Sequence, residues 1–284
     1  MIAFDKEKFR DLIPTLMRTE INTLFAMSVL EGKIEGNIYV DDNVTPASFY
    51  IKHPYGMALL YGESGKEDFY EELKSYLLNS CNTRKKTEWL QVYPATLYKK
   101  MDDLLEKHLI KKDPEEAYSP PSPEEAAKVL EYQRINFIFQ KDKYAAFRKD
   151  LSHREDKIVI TSENIFNQLE GNVTPKYFWN NYQDFIRYGV GFTLLINNKI
   201  PASTAFASFV IDHKLEIGIE TGVDYRGSGF ATMVCVRLID YCLENGLEPV
   251  WSCSSWNNAS RKLALKLGFE ERKRIPYYVL PAAQ

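Results

Sequence analysis

The sequence predicts an α/β protein made of two tandem units, and three observations carry that prediction. Hydrophobic periodicity alternates along the whole chain between the two-residue repeat of strands and the 3.6-residue repeat of helices. One hexapeptide returns: Asn43-Val44-Thr45-Pro46-Ala47-Ser48 is matched by Asn198-Lys199-Ile200-Pro201-Ala202-Ser203, with strand-like stretches in the same order around both. The 284 residues suffice for two domains with their own cores, and 45% hydrophobic with 26% charged residues is a globular composition. The units are expected over 1–145 and 146–284.

In the first unit, Phe9, Leu12, Ile13, Leu16 and Met17, then Leu24, Phe25, Val29 and Leu30, recur at helical spacing over residues 5–31. From Gly36 the period shortens, giving strands at 37–41, 47–51 and 57–61. A helix follows over 66–78 with Phe69, Leu73, Tyr76 and Leu77 on one face, then a strand at 89–93 and a helix over 95–107. The proline-rich stretch 113–123 reads as a loop with a short helix starting at Pro123, before a last strand at 134–139.

The second series starts near Asp156 with a strand at 157–160 and a helix at 164–170. A helix over 175–188 then aligns Phe178, Trp179, Tyr182 and Phe185. Strands follow at 192–196, 202–211 and 215–222, then a helix from Gly229 to Asn245, stopped at Asn245-Gly246. A strand at 249–253, a helix at 259–267 ended by Gly268, and a strand at 271–279 complete the chain.

Net charge is −3, and the basic clusters at 84–86, 107–112 and 272–274 are short, which argues against a nucleic-acid binder. A charged N-terminus and the lack of a long apolar run predict a cytoplasmic protein without a membrane segment. Cys81, Cys235, Cys242 and Cys253 form no disulfide framework. His53, His108, His153 and His213 lack ligand spacing, so no metal is implied.

Chemistry concentrates at Leu215–Ala231, where an alternating strand runs into Arg226-Gly227-Ser228-Gly229 and a long helix begins at once. The glycines let a ligand approach the backbone, and the first helical amides, the helix dipole and Arg226 all favour an anion. The equivalent turn of the first unit, Gly62-Glu63-Ser64-Gly65-Lys66, lacks the arginine, so only the second copy is expected to bind. A P-loop is excluded because no Lys-Ser/Thr pair follows the glycines, and a dinucleotide fingerprint fits poorly because Thr232 stands at the third glycine.

Arg226-Gly227-Ser228-Gly229-Phe230-Ala231 resembles the [RQ]-x-x-G-x-[GA] acetyl-CoA motif of the GNAT N-acetyltransferase family. Downstream, Asn257-Asn258-Ala259-Ser260 through Leu267-Gly268-Phe269 is similar to a second signature of that family, N-x-x-[SA]-x-x-L-[YA]-x-x-x-G-F. The likeness covers residues 190–280 most strongly. Leu30-Glu31-Gly32 and Tyr39-Val40-Asp41-Asp42 also resemble the GNAT subfamily that includes the zwittermicin A resistance protein.

The resemblance implies two tandem GNAT-like units, each a mixed, mostly antiparallel twisted sheet flanked by helices, the first degenerate. It implies acetyl-CoA as co-substrate and direct acetyl transfer to the primary amine of a small molecule. Thr221, Gly222, Val223, Arg226, Gly227, Ser228, Gly229, Phe230, Ala231, Asn257 and Ser260 would bind the cofactor, the thioester lying along strand 215–223. Glu220 on that strand is the candidate base, with Glu216 four residues earlier. The family's usual general-acid Tyr is replaced by Ala264, so Tyr277, Tyr278, Ser254 or solvent would protonate the thiolate, with Tyr277 preferred among the side chains. Trp256 would wall the pocket or pack in the core. The missing Tyr leaves one alternative, a non-catalytic acyl-CoA-binding sensor.

Overall fold

The computed structural model describes residues 1–114, 116, 119–150 and 157–282. His153, Asp156 at the expected start of the second series, and part of the proline-rich loop lie outside the described residues. The chain forms two compact units: Met1–Ile135 with Cys253–Asn258 and Lys273–Gln284, and Asn136–Ser252 with Ala259–Arg272. The units interleave in sequence, since the last strand supplies residues to both.

The first unit begins with a short strand β1 (Ile2–Ala3), a 3-10 turn (Lys6–Leu12) and the helices α1 (Ile13–Leu16) and α2 (Leu24–Leu30). Strands β2 (Asn37–Val40), β3 (Phe49–Lys52) and β4 (Met57–Tyr61) are followed by α3 (Glu67–Leu77) and β5 (Glu88–Tyr93). Then come α4 (Leu97–Leu105), β6 (Leu109–Lys111), α5 (Pro123–Ala126) and β7 (Val129–Phe139). The second series comprises α6 (Lys141–Asp150), β8 (Lys157–Ile160), α7 (Glu163–Gln168), α8 (Tyr182–Tyr188), β9 (Gly191–Ile196), β10 (Ile200–Ile211) and β11 (Lys214–Thr221). It closes with α9 (Phe230–Glu244), β12 (Glu248–Val250), β13 (Ser252–Ser254), α10 (Asn258–Lys266) and β14 (Phe269–Leu280).

The first sheet runs β1-β2-β3-β4-β5-β14-β7-β13 with β6 beside β7, and the second runs β12-β11-β10-β9-β8. The duplication expected from the repeated hexapeptide is visible in the pairing. β2, β3 and β4 are antiparallel neighbours and β4 pairs parallel to β5 across α3. Likewise β9, β10 and β11 are antiparallel, and β11 pairs parallel to β12 across α9.

In the first unit α3 and α4 bury Phe69, Leu73, Leu77, Leu97, Met101 and Leu105 against Tyr50, Leu60, Leu90, Val92, Tyr278 and Leu280. Glu88, almost fully buried, is neutralised by Lys52 Nζ at 2.8 Å and accepts from the hydroxyls of Tyr50 and Tyr76. Buried charge survives only with such partners. Gln91 shows the opposite: it is fully buried, and neither side-chain amide atom finds a hydrogen-bond partner among the described residues. Its register neighbours are Leu59 and Tyr277. Gln91→Met, close in shape and free of the unmatched amide, is therefore expected to stabilise the protein by about 1–2 kcal/mol. Urea unfolding of the two proteins measures this, and a loss of stability would contradict it.

In the second unit α9 lays Val234, Cys235, Leu238, Ile239 and Cys242 against β9, β10 and β11, whose Leu194, Ala205, Ala207 and Leu215 are buried. Burial raises the thiol pKa of Cys242 to about 12, and that of Cys235 rises for the same reason, so both act as apolar core residues.

Two expected elements differ. The helix expected over 175–188 is a 3-10 turn (Pro175–Tyr177) followed by α8, because Asn181 interrupts the run and caps α8 by accepting from the Asp184 amide at 2.9 Å. Its aromatics still pack together, Trp179 on Phe185 and Phe178 on Phe206. The single strand expected over 249–253 is β12 and β13, which belong to different sheets. No helix among the described residues is long and apolar enough to cross a membrane.

Candidate functional site

The departure of the chain between β12 and β13 shapes the site. β11 pairs with β10 to its end, through Ala205↔Ile219, Thr204↔Glu220 and Ser203↔Thr221. On its other side, pairing with β12 stops at Glu216↔Val250. From Ile217 to Thr221 that edge has no strand beside it among the described residues, leaving its outward N–H and C=O groups able to bond an extended ligand. In the first unit the corresponding pair stays closed, because β4 and β5 remain in register from Met57↔Trp89 to Tyr61↔Tyr93.

The turn beyond the open edge gathers groups of positive potential. Gly222 N–H donates to Ala202 O at 2.9 Å, and a 3-10 turn (Val223–Tyr225) carries the chain to Arg226. Gly227 and Gly229 adopt φ of 80° and 83°, a region that favours glycine. A Cβ at Gly227 would meet nothing within 4 Å, so backbone conformation is what selects glycine there. Gly229 caps α9 with no side-chain hydrogen bond, and the first turn of α9 holds no acidic residue. Its early amides therefore face outward with the positive end of the helix dipole. The first turn of α3 carries Glu67 and Asp68, and Lys66 is bonded to Asp42 at 2.7 Å, an arrangement hostile to phosphate.

Among the expected cofactor residues, Thr221, Gly222, Val223, Arg226, Gly227, Ser228, Gly229, Phe230 and Ala231 form one continuous, largely exposed stretch of the second unit. Ser260 lies in α10 of the same unit and accepts from Trp251 Nε1 at 3.1 Å. Asn257 falls within the Cys253–Asn258 segment of the first unit, with its amide donating to Ser254 O. Ala264 is fully buried, and Gly268 (φ 84°) passes so close to Tyr144 that a Cβ would lie 2.6 Å from its backbone nitrogen.

Glu220 carries most of the geometry that sequence alone does not reveal. Its Oε2 accepts the backbone amides of Asn172 and Val173 at 2.9 and 3.0 Å, and its Oε1 lies 3.7 Å from Arg226 Nη2. The preceding Gly171 has φ 122°, and a Cβ there would come within 2.6 Å of the Glu220 carboxyl carbon. Glu216 is 4% exposed at the fork itself and accepts from Ser252 Oγ at 2.9 Å. The sequence places a loop before residue 175, where it and the following helix are expected to form part of the acceptor wall, but it does not show the loop's bond to Glu220 or that of Ser252 to Glu216; Gly171-Asn172 signals a turn, and nothing local pairs it with a residue 48 positions away.

Tyr277 belongs to the first unit, is 5% exposed, and lies under the Arg134 guanidinium, 5.2 Å from ring centroid to cation. Tyr278 sits in the first unit's core, where burial pushes its hydroxyl pKa well above normal. Trp256 packs edge-on to Tyr132, both in the first unit. Among the described residues no group of three His, Cys, Asp or Glu side chains is placed to hold a metal ion.

The arrangement can hold a phosphate-bearing ligand at the α9 turn and an extended, amide-containing arm along β11. A model of the family described as GNAT acetyltransferase matches residues 15–278. A Bacillus subtilis protein named uncharacterized N-acetyltransferase YdfB is 28% identical over 274 residues, covering 93% of each chain. Among solved structures, a GCN5-related N-acetyltransferase-like protein from Streptococcus suis is similar over 97% of this chain and all of its own, with TM-score 0.67 and 20% identity. A tandem GNAT protein from the clavulanic acid biosynthesis pathway matches 96% of this chain and 94% of its own, with TM-score 0.57 and 10% identity.

Proposed function

The chain belongs to the GNAT acetyltransferase family and is an N-acetyltransferase, and from that premise we propose that it transfers acetyl directly from acetyl-CoA to the primary amine of a small molecule. The observation that carries the proposal is the open edge of β11 beyond Glu216↔Val250, leading straight into the uncapped start of α9. The pyrophosphate would sit on the amides of residues 226–231 beside Arg226, and the pantetheine arm would extend β11 as a surrogate strand. Backbone N–H groups near Glu220 and Thr221 would bind the thioester carbonyl and its developing oxyanion.

An amine with the pKa of lysine, about 10.4, loses roughly 4.6 kcal/mol to deprotonation at pH 7, so a proton acceptor beside the thioester is valuable. We assign that role to Glu220 through Oε1, since Oε2 is occupied by the loop amides. A thiolate leaving group with pKa near 8.5 needs little help. Its proton is assigned to solvent rather than Tyr277, which is nearly inaccessible, and Ala264 offers no hydroxyl.

The first unit, with its β4–β5 pair closed and its α3 turn acidic, is assigned a structural or acceptor-shaping role. Segments 30–32 and 39–42 support a place near the zwittermicin A resistance subfamily. Incubating the protein with acetyl-CoA and a panel of small amines, and measuring free CoA, tests the proposal. Turnover on at least one amine is expected. Tight acetyl-CoA binding with no turnover on any would favour the sensor instead.

A further inference from the structure

Loop 171–173, Glu220 and Arg226 form one connected set within the second unit, although two of its members face different tasks. Glu220 Oε2 gathers the consecutive amides of Asn172 and Val173, while Oε1 faces Arg226 at 3.7 Å. Arg226 also donates from Nε to Thr221 O at 3.3 Å. Gly171 permits this closeness, since any Cβ there would collide with the Glu220 carboxyl group.

The two halves of the ion pair differ in exposure. Arg226 is 63% exposed and Glu220 only 16%. A solvated guanidinium in a pair of this kind is weakly held, so a phosphate reaching the α9 turn can draw it away at small cost. Glu220 cannot follow, because two backbone amides hold it.

From this geometry we infer that Glu220, besides the proton-accepting role assigned to its Oε1, fixes loop 171–173 beside β11 through Oε2 and shares Arg226 with the cofactor's phosphates. Cofactor binding moves the cation from Glu220 to phosphate, so cofactor affinity and the loop clamp are coupled through one side chain. The inference rests on the cofactor placement proposed above and adds a partner for Arg226 before the cofactor arrives.

The test is a double-mutant cycle read by calorimetric titration with CoA. Arg226→Met is expected to weaken CoA binding. Glu220→Gln is expected to tighten it about two- to fivefold in the otherwise unaltered protein, because Arg226 no longer has to leave a carboxylate. In the Arg226→Met background the same Glu220→Gln change should have almost no effect. Equal tightening in both backgrounds, or none in the first, overturns the inference. Undiminished CoA binding by Arg226→Met instead overturns the placement of the phosphates.

Amide hydrogen exchange reads the clamp separately. Glu220→Gln and Gly171→Ala, the latter keeping the charge while displacing the carboxylate, should both speed exchange at Asn172 and Val173 about tenfold or more. Unchanged exchange at these two amides in both variants would show that Glu220 does not hold the loop.

Discussion

Arg226→Glu is expected to weaken CoA binding by at least about tenfold, because it replaces a charge-assisted donor to phosphate with a like charge. The position magnifies the effect. Arg226 directly precedes the Gly227-Ser228-Gly229 turn, and the first turn of α9 contains no charged side chain of its own. The introduced carboxylate would also stand beside Glu220, now 3.7 Å from the guanidinium, placing two negative charges at the mouth of the cradle. Calorimetric titration with CoA gives the number directly. Because Arg226 is mostly exposed, the substitution should leave thermal stability almost unaltered, which separates lost affinity from lost folding. Unchanged affinity would rule out the phosphate assignment.

Glu220→Gln carries the second large effect. If Glu220 accepts the acceptor's proton, turnover at pH 7 should fall roughly hundredfold, the usual scale of general-base contributions. The deficit should be greatest at low pH, where nearly all of the amine is protonated, and should shrink as pH rises toward the amine's pKa. The sign follows from the amine, which supplies its own neutral fraction once the pH is high enough. Cofactor affinity should not fall, because Glu220 contributes no positive charge to the phosphate site. Rate profiles between pH 6 and 10 decide the matter, and parallel profiles for both proteins would remove Glu220 from the role of base.

The strand–turn–helix of Leu215–Ala231 was legible in the sequence because all of its parts are local. An alternating strand, two glycines that need positive φ and an uncapped helix start follow one another within Leu215–Ala231. The duplication was legible for the same reason, since β2-β3-β4-α3-β5 and β9-β10-β11-α9-β12 repeat one order of periodicities. The fork that opens β11 was not. Pro249-Val250-Trp251-Ser252-Cys253 is a short run that looks like one strand, and only distant partners divide it into β12 and β13.

Helix α6 escaped notice because Lys141–Asp150 offers little apolar periodicity; its anchor is Tyr144, whose hydroxyl bonds Asp240 at 2.6 Å, 96 residues away. The partners of Glu220 were hidden by the same distance effect. A carboxylate on an alternating strand has many possible neighbours, and its selection by two amides of loop 171–173 depends on tertiary packing.

A structure of the protein with acetyl-CoA bound decides whether the cofactor lies along β11 and on the start of α9. The pyrophosphate is expected within hydrogen-bond distance of the amides of Gly227 to Ala231, and the thioester beside β11 between Ile217 and Thr221. A cofactor seated on the Gly62–Lys66 turn at the start of α3, or away from the open edge of β11, would contradict this placement.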